Sequence, residues 1–298
     1  MEVTVEGRQL KLSNLDKVLY PEVGFTKGQV VDYYTRIAPA LLPHLRQRAL
    51  TLKRYPNGVD GQFFYEKNCP KHRPEWVSTV AVWSGRNQAD VNYCLANDLP
   101  TLVWVANLAS LELHTSLSWA EDLQRPSMLV FDLDPGPPAT IVECAKVAFW
   151  LRELFDEWGI QAFPKTSGSK GLQLYVPLNT PVTYQETKPF AHAVARLLED
   201  RHPELVVSQM KKELRHGKVL IDWSQNDDSK TTVCVYSLRA RPRPTVSTPV
   251  RWEEVERMAE AADPELLVFE AEDVLTRVEA DGDLFDPVLK LEQGLPAL

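Results

Sequence analysis

The stretch MLVFDLDPGP (Met128–Pro137) places Asp132 and Asp134 at the end of an apolar run that closes in a Pro-Gly-Pro turn. An isolated buried carboxylate is very costly, so such charges are normally paired, protonated or bound to a cation. Residues i and i+2 of a β-strand point to the same face, so we expect both carboxylates to project together. This strand is the reference point for the rest of the chain.

A third carboxylate, Asp222, ends a similar apolar run in VLIDWS (219–224). Three carboxylates at neighbouring strand ends would supply the oxygen ligands that Mg²⁺ or Mn²⁺ prefers. Two such ions can clamp the attacking and leaving oxygens of a phosphoryl transfer. The alternative is that each aspartate pairs with an arginine or caps a turn, and a lone Asp-x-Asp motif favours that alternative.

The loop KTSGSKG (165–171) combines two glycines with hydroxyl and lysine side chains. Backbone N–H groups in such a loop can form an anion-binding nest, to which Lys170 would add charge. Taken alone the loop is more typical of a flexible turn, and no Walker A sequence is present. Next to strand-end aspartates, it favours binding of a triphosphate.

Three other side chains are ambiguous from the residues alone. His114 in LELHTS could donate to a phosphate or be a half-buried structural histidine. Phe63 and Phe64 are adjacent, so on a strand one should face the core and the other solvent, where it could stack on a base. Core or hairpin packing is the favoured reading of both.

The hydrophobic pattern predicts a mixture of helices and strands typical of an α+β or mixed α/β core. Predicted helices begin at Thr26 as N-cap, at Thr140 with Glu143 in a capping box, and near residues 185, 250 and 270, and one precedes a strand within 101–117. Predicted strands cover 49–56, 61–68, 128–135, 171–178, 218–225 and 231–240. Residues 239–249 are rich in proline and arginine and predict an extended connector.

Composition is that of a globular protein, with 298 residues, 44% hydrophobic residues and a formal net charge of −8. The acidic segment 250–298 contributes much of that charge, whereas 211–218 and 239–244 are basic, so a nucleic-acid partner stays open. No apolar run approaches the roughly 20 residues of a membrane span, and the N-terminus lacks a signal-peptide pattern. These features predict a soluble cytoplasmic protein.

The four cysteines are scattered without a Cys-x-x-Cys pair, and the pattern gives no reason to infer disulfides. CPKH (69–72) could be half of a zinc site, but no second half is visible in the sequence. A plain loop is the favoured interpretation of that segment.

Together these motifs resemble the polymerase domain of bacterial ligase D, a repair branch of the archaeo-eukaryotic primase superfamily. The resemblance rests on NLDKVLYP, KRYPNGVDGQFFYEK, LELH, FDLDPGP, KTSGSKGLQLY and the segment VLIDWSQND to YSLRARP, in order over about residues 10–285. It implies a primase catalytic core: an N-terminal α/β module (about 1–125), an RRM-like module (about 126–245) and C-terminal helices (about 250–290), with the active site between the modules.

The resemblance also implies roles for individual residues. Asp132, Asp134 and Asp222 match the metal-binding triad, which would hold two divalent ions, Mn²⁺ or Mg²⁺. The residues matched to nucleotide binding are Lys53, His114, Ser167, Lys170, Gln225 and Arg239. Those matched to DNA are Lys17 and Lys27, on a 5′-phosphate, and Phe63 and Phe64, on the template.

The implied function is template-directed filling of short gaps, or extension of broken DNA ends with a 5′-phosphate, with a preference for ribonucleotides. It would serve non-homologous end joining or excision repair near the nucleoid, with a DNA ligase and Ku as implied partners. A metal-dependent phosphoesterase or nuclease and a non-catalytic DNA-end binder are the competing functions. The family often has histidine at the position of Gln173, and it projects an end-bridging loop where this chain has 84–93.

Overall fold

The computed structural model describes residues 1–85 and 87–296, and its mixed α/β architecture confirms the predicted class. The strands are β1 (Glu2–Val5), β2 (Arg8–Lys11), β3 (Val18–Tyr20), β4 (Phe25–Thr26), β5 (Leu50–Arg54), β6 (Phe64–Glu66), β7 (Thr79–Ser84), β8 (Ala89–Cys94), β9 (Ser110–Thr115), β10 (Ser118–Trp119), β11 (Asp122–Pro126), β12 (Met128–Pro135), β13 (Phe163–Thr166), β14 (Leu172–Pro177), β15 (Val206–Val207), β16 (Val219–Asp222) and β17 (Thr232–Val233). The helices are α1 (Lys27–Leu45), α2 (Leu99–Asn107), α3 (Ile141–Glu157), α4 (Tyr184–Arg201), α5 (Trp252–Ala261), α6 (Ala271–Asp281) and α7 (Asp286–Lys290).

The helix starts follow the capping signals in the sequence. Thr26 accepts from the Gln29 backbone N–H, and the Gln29 side chain accepts from the Thr26 N–H, which closes a capping box before α1. Glu143 accepts from the backbone N–H of Thr140 in the same way before α3. Both predicted N-caps are therefore confirmed. Within the described part of the chain, no helix is long and apolar enough to cross a membrane.

The chain forms two compact units that alternate along the sequence. Unit 1 comprises Met1–Glu121, Thr231–Ser247 and Phe269–Asp283, and unit 2 comprises Asp122–Lys230, Thr248–Val268 and the segment from Leu284. Unit 1 thus takes in most of the expected N-terminal module (about 1–125), together with one segment of the expected RRM-like module and one of the C-terminal helices.

In unit 1 a sheet of order β17-β9-β5-β8-β7, with β6 also paired to β5, is the main layer. Helices α1 and α2 pack together, and α6 packs on α1. The core includes Leu41, Leu111 and Leu113, each fully buried. Strand β5 lies at the centre, so its Lys53 and its neighbours on β9 are held by strands on both sides.

In unit 2 the sheet order is β13-β14-β12-β16-β15. The first four strands, taken with α3 and α4, form a split β-α-β-β-α-β unit with β12 in the interior, which is the arrangement that an RRM-like module requires. Phe131, Leu174 and Ile221 are fully buried on this sheet. The strand with the two aspartates is therefore paired on both edges.

Several predicted elements differ from the structure. The strand predicted over 231–240 is reduced to β17, because Tyr236 has a positive φ of 63° and the extended chain cannot continue through it. The hairpin of β7 and β8 and the short α7 were not predicted. Within 84–93, residue 86 lies outside the described residues.

The expectation of free cysteines is wrong for one pair. Cys69 and Cys94 form a disulfide, with their Cα atoms 5.0 Å apart. The Cys69 backbone N–H donates to the Asn92 carbonyl, and this contact brings the loop 69–72 to strand β8. A pairing across 25 residues depends on tertiary structure and leaves no local sequence signal. The disulfide also removes Cys69 as a zinc ligand, whereas Cys144 and Cys234 are free and buried as expected.

Gly171 lies where the loop after β13 passes closest to β12. A Cβ atom at this position would lie 2.3 Å from the Leu133 carbonyl oxygen, and Leu133 separates the two aspartates. The Gly171 backbone is also tied to Ser167, by an N–H to the Ser167 hydroxyl and a carbonyl to the Ser167 N–H. No side chain fits there without moving β12 or the loop.

We predict that Gly171→Ala lowers the free energy of unfolding by about 1–3 kcal/mol, because overpacking of a fixed backbone contact is relieved only by displacement. Urea denaturation of the variant and the wild type measures the loss. Gly85→Ala is the matched control, since its added methyl group meets open space. Equal stability of Gly171→Ala and wild type would contradict the close approach.

Candidate active site

The carboxylates of unit 2 lie side by side across two strands. Asp132 on β12 is the register partner of Asp222 on β16, whereas Asp134 is opposite Leu220. Directly opposed residues of antiparallel strands have Cβ atoms about 4.5–5.5 Å apart. Asp132 and Asp134 are both half-buried on the same face of β12, between residues that are fully buried. The register therefore places the three carboxylates on one face of two adjacent strands.

Asp222 also caps the short 3₁₀-helix Trp223–Gln225 that follows β16. Its Oδ1 accepts from the Ser224 backbone N–H at 2.9 Å and from the Ser224 hydroxyl at 2.6 Å. Its Oδ2 accepts from the Gln225 amide at 2.9 Å. The predicted nucleotide residue Gln225 is thus bonded to a carboxylate of the cluster.

As arranged, no three His, Cys, Asp or Glu side chains among the described residues form a ready-made metal site. The donor set nevertheless suits a hard cation, because Asp132, Asp134 and Asp222 provide carboxylate oxygens on one face. Asp222 Oδ1 already accepts two hydrogen bonds, whereas Oδ2 accepts one and can bind a cation with its second lone pair.

Crowding of these acids changes the protonation of Asp132. Burial raises the pKa of Asp132 to about 7, and the neighbouring charges of Asp134 and Asp222 act in the same direction. A hydrogen bond from Gln173 and the positive charge of Lys165 oppose the rise. The carboxylate thus keeps its proton to unusually high pH unless a positive charge compensates it.

The loop after β13 is a tight hairpin connection. The Ser167 hydroxyl accepts from the backbone N–H groups of Ser169 and Gly171, at 3.2 and 3.1 Å. Two N–H groups of the expected anion nest are therefore already bonded within the loop. Lys170 is exposed at its tip, where its ammonium group is accessible to an anion.

In unit 1 a single carboxylate, that of Glu112 on β9, holds a cluster of donors. It is 2% exposed and accepts from Lys53 Nζ at 3.3 Å, from His114 Nε2 at 2.9 Å and from the Ala240 backbone N–H at 3.1 Å. Arg239 Nε lies 3.5 Å from its Oε2. Three residues predicted to bind nucleotide therefore meet at one acid.

Glu112 was missed by the sequence reasoning, although LELH contains it. Because successive side chains of a strand point to opposite faces, the alternation Leu111-Glu112-Leu113 predicts a glutamate that faces solvent, so no local pattern signals its burial. Burial raises the pKa of Glu112, but His114, Arg239 and Lys53 together lower it well below its usual range. Glu112 is therefore ionised at any working pH.

His114 lies in the same cluster, but there the surroundings favour the neutral form of the side chain. Burial lowers the pKa of His114, Glu112 raises it, and Arg239 and Lys53 lower it again, for a net decrease. The imidazole is neutral at pH 7, and its Nε2–H donates to Glu112. Because a neutral imidazole has one donor, Nδ1 is left as a hydrogen-bond acceptor.

The two phenylalanines differ from the expectation that one faces the core. Phe63 is 50% and Phe64 43% exposed, at the start of β6, which pairs with β5. Phe63 stacks on Tyr55 with ring centroids 5.3 Å apart, and Lys53 Nζ lies 4.5 Å from the Phe63 ring. Neither phenylalanine is in the core, and the Phe63 ring already has aromatic and cationic neighbours.

Lys17 and Lys27 form a separate basic site in unit 1. Lys27, the first residue of α1, is 5% exposed and donates from Nζ to the Ser13 carbonyl at 2.6 Å. Burial lowers the pKa of Lys27, and the charges of Lys17 and Arg54 lower it further. Lys17 donates to the Asn57 side chain at 3.0 Å. An anion bound here would relieve the repulsion among these cations.

Comparison with known proteins gives a consistent result. The family described as LigD, primase-polymerase domain matches residues 26–285. The chain is 41% identical over 282 residues to the multifunctional non-homologous end joining protein LigD of Mycolicibacterium smegmatis and 32% identical over 289 residues to the bifunctional LigD of Bacillus subtilis. These matches cover 94% and 97% of this chain but 36% and 45% of the relatives, so the chain spans less than half of their length.

A solved structure is similar over almost the whole chain. It is the polymerase domain from Mycobacterium tuberculosis ligase D in complex with DNA, with a TM-score of 0.87 and 40% sequence identity. The similarity covers 95% of this chain and 99% of that one.

The protonation of Asp132 predicts how stability depends on pH. An unfolded chain releases the proton of an aspartate near pH 4, whereas the folded protein keeps it to about pH 7. The folded state binds more protons in this window, so metal-free stability should fall as pH rises from about 4 to 7. Asp132→Asn should lessen this fall and be more stable than wild type at pH 8.

Urea denaturation in chelator at pH 5 and pH 8 measures both differences, with exposed Asp156→Asn as the control. An unchanged difference between Asp132→Asn and wild type across this range would show that Asp132 ionises normally.

Proposed function

The chain belongs to the LigD primase-polymerase domain family, and from that premise we propose that it is a template-directed nucleotidyltransferase for DNA repair. It fills short gaps, or extends broken ends, where the DNA carries a 5′-phosphate. The observation that carries the proposal is the alignment of Asp132 and Asp222 on adjacent strands, with Asp134 on the same face. Neighbouring buried carboxylates destabilise the folded protein, and such clusters are expected where cations bind during phosphoryl transfer.

In the proposed reaction, a primer 3′-hydroxyl attacks the α-phosphate of a nucleotide. A new phosphodiester bond forms, the bond to pyrophosphate breaks, and the hydroxyl proton is lost to solvent. Asp132, Asp134 and Asp222 would hold two divalent ions, Mn²⁺ or Mg²⁺. Such ions supply electrostatic stabilisation to the charge on the transferring group.

We assign nucleotide binding to side chains that can contribute positive charge or hydrogen bonds to a bound anion. In unit 1, Glu112 keeps Lys53 and Arg239 ordered, and their two positive charges exceed its single negative charge. In unit 2 the exposed Lys170 adds charge at the hairpin tip, and Ser167 shapes the loop. Gln225 would contribute through Asp222, to which it is bonded.

A preference for ribonucleotides is supported by the protonation of His114. With Nε2–H committed to Glu112, Nδ1 is an acceptor and suits a sugar hydroxyl better than a phosphate oxygen. A deoxyribose would lack one such donor. His114 is therefore assigned to the sugar of the incoming nucleotide.

DNA would be bound by the basic and aromatic groups of unit 1. Lys17 and Lys27 suit the doubly charged 5′-phosphate, and the half-exposed side chains of Phe63 and Phe64 are assigned to stacking on template bases. The names of the relatives support a place in non-homologous end joining. A DNA ligase and Ku as partners, and a location near the nucleoid, are our proposal from the family resemblance alone.

The deciding experiment is extension of a labelled primer across a short gap with a 5′-phosphate, with Mn²⁺ and either ribo- or deoxyribonucleotides. We expect templated addition by wild type and by exposed Asp156→Ala. The rate of extension by Asp132→Ala should be lower by at least about a thousandfold, because a ligand of the proposed divalent ions is removed. Primer cleavage, with release of mononucleotide, would instead indicate a nuclease. Gap binding without nucleotide consumption would indicate a DNA-end binder.

The basic pair predicts a second result. Replacing Lys17 and Lys27 together by glutamine should weaken binding to gaps with a 5′-phosphate and reduce the slope of log K against log salt by up to about two units. The double variant of exposed Lys146 and Lys290 has the same change in net charge and is the control. Binding isotherms at several salt concentrations supply the slopes. Equal losses on gaps with and without the phosphate would indicate general electrostatics instead.

A further inference from the structure

Four polar side chains form one row across the sheet of unit 2. Lys165 on β13 is the register partner of Gln173 on β14, Gln173 is the partner of Asp132 on β12, and Asp132 is the partner of Asp222 on β16. Lys165 is fully buried and Gln173 is 3% exposed. The row thus runs from a buried ammonium group to the carboxylate cluster.

The chemistry of the row determines how the Gln173 amide is oriented. Lys165 Nζ donates to Gln173 Oε1 at 2.5 Å, and the Gln173 side chain also hydrogen-bonds the Asp132 carboxylate. An ammonium group only donates and a carboxylate only accepts. The amide must therefore present its oxygen to Lys165 and its NH₂ group to Asp132, and the reverse orientation would lose both bonds.

We infer that Gln173 is a positioning residue, whose amide links the buried Lys165 ammonium to Asp132 and holds that carboxylate in the orientation in which it binds a divalent cation. This inference rests on the cation site of the proposed function. Gln173 and Lys165 would not bind the cation themselves but would fix the orientation of Asp132. Groups that hydrogen-bond a metal-binding side chain fix its orientation and charge.

Packing alone does not account for these residues. Burial of an ammonium group is costly, and an apolar side chain of similar volume at either position would fill the sheet interior at lower cost. Lys165 is further held against the Tyr175 ring, with Nζ 5.2 Å from its centroid. The buried positive charge of Lys165 is thus connected to Asp132 by hydrogen bonds through the Gln173 amide.

Histidine is the conservative substitute that tests the relay. A neutral imidazole accepts at one ring nitrogen and donates at the other, as the amide does, whereas leucine does neither. Gln173→His should therefore retain the function, and Gln173→Leu should lose it. Lys165→Met removes the charge at the other end of the row while keeping the length of the side chain.

The measurement is Mn²⁺ binding to the full chain without nucleotide or DNA, followed by the electron paramagnetic resonance signal of free Mn²⁺. We expect Gln173→Leu and Lys165→Met to weaken Mn²⁺ affinity by about tenfold or more, and Gln173→His to stay within about threefold of wild type. Exposed Gln185→Leu is the matched control and should bind as wild type does. Thermal denaturation and circular dichroism verify that each variant is folded.

The outcomes separate this inference from the proposed function. Wild type that binds Mn²⁺ no better than Asp132→Ala would overturn the cation site itself. Normal Mn²⁺ binding by folded Gln173→Leu, or a loss in folded Gln173→His as large as in Gln173→Leu, would overturn the relay alone. If Gln173→Leu does not fold, normal binding by Lys165→Met would still overturn it.

Discussion

The opposition of Asp132 and Asp222 across adjacent strands is the constraint on which unit 2 depends. Like charges directly opposite each other destabilise a sheet, and partial burial increases that cost. The surrounding structure contains several compensating groups: Ser224 and Gln225 donate to Asp222, and Gln173 donates to Asp132. None of these neutral donors cancels the charge. A cation would cancel it, which is the physical reason for proposing that divalent ions bind at this sheet.

Unit 1 has the reverse arrangement of charge. There one buried carboxylate, Glu112, orders Lys53, Arg239 and His114, and the excess charge is positive. Removing the acid would leave these cations without their partner, so Glu112 keeps them ordered at the position where we propose that an anion binds. The net charge of −8 belongs to the whole chain and hides this difference. Unit 1 concentrates positive charge at one place and unit 2 negative charge at another, and at each place we expect a ligand of opposite charge.

Local patterns predicted much of the fold. An N-cap at Thr26 and a capping box at Thr140 located α1 and α3, an apolar run located β12, and the spacing of Asp132 and Asp134 predicted a shared face. Contacts between distant segments were not predictable in this way. The partner of Cys69, the side of the sheet that Phe63 occupies and the row from Lys165 to Asp132 all depend on strand register, which a single sequence specifies only weakly. Glu112 was missed for a related reason, since its importance lies in its partners.

Position 173 holds glutamine, where the resemblance to the family led us to expect histidine. What the row requires is an acceptor toward Lys165 and a donor toward Asp132, and both side chains can supply them. They differ in one respect, because an imidazole that gains a second proton below about pH 6.5 becomes a donor on both sides and loses its bond to an ammonium group. An amide does not titrate, so the bond from Lys165 to Gln173 does not depend on the protonation of residue 173. Glutamine therefore meets both requirements of the row without adding a titratable group behind the carboxylates.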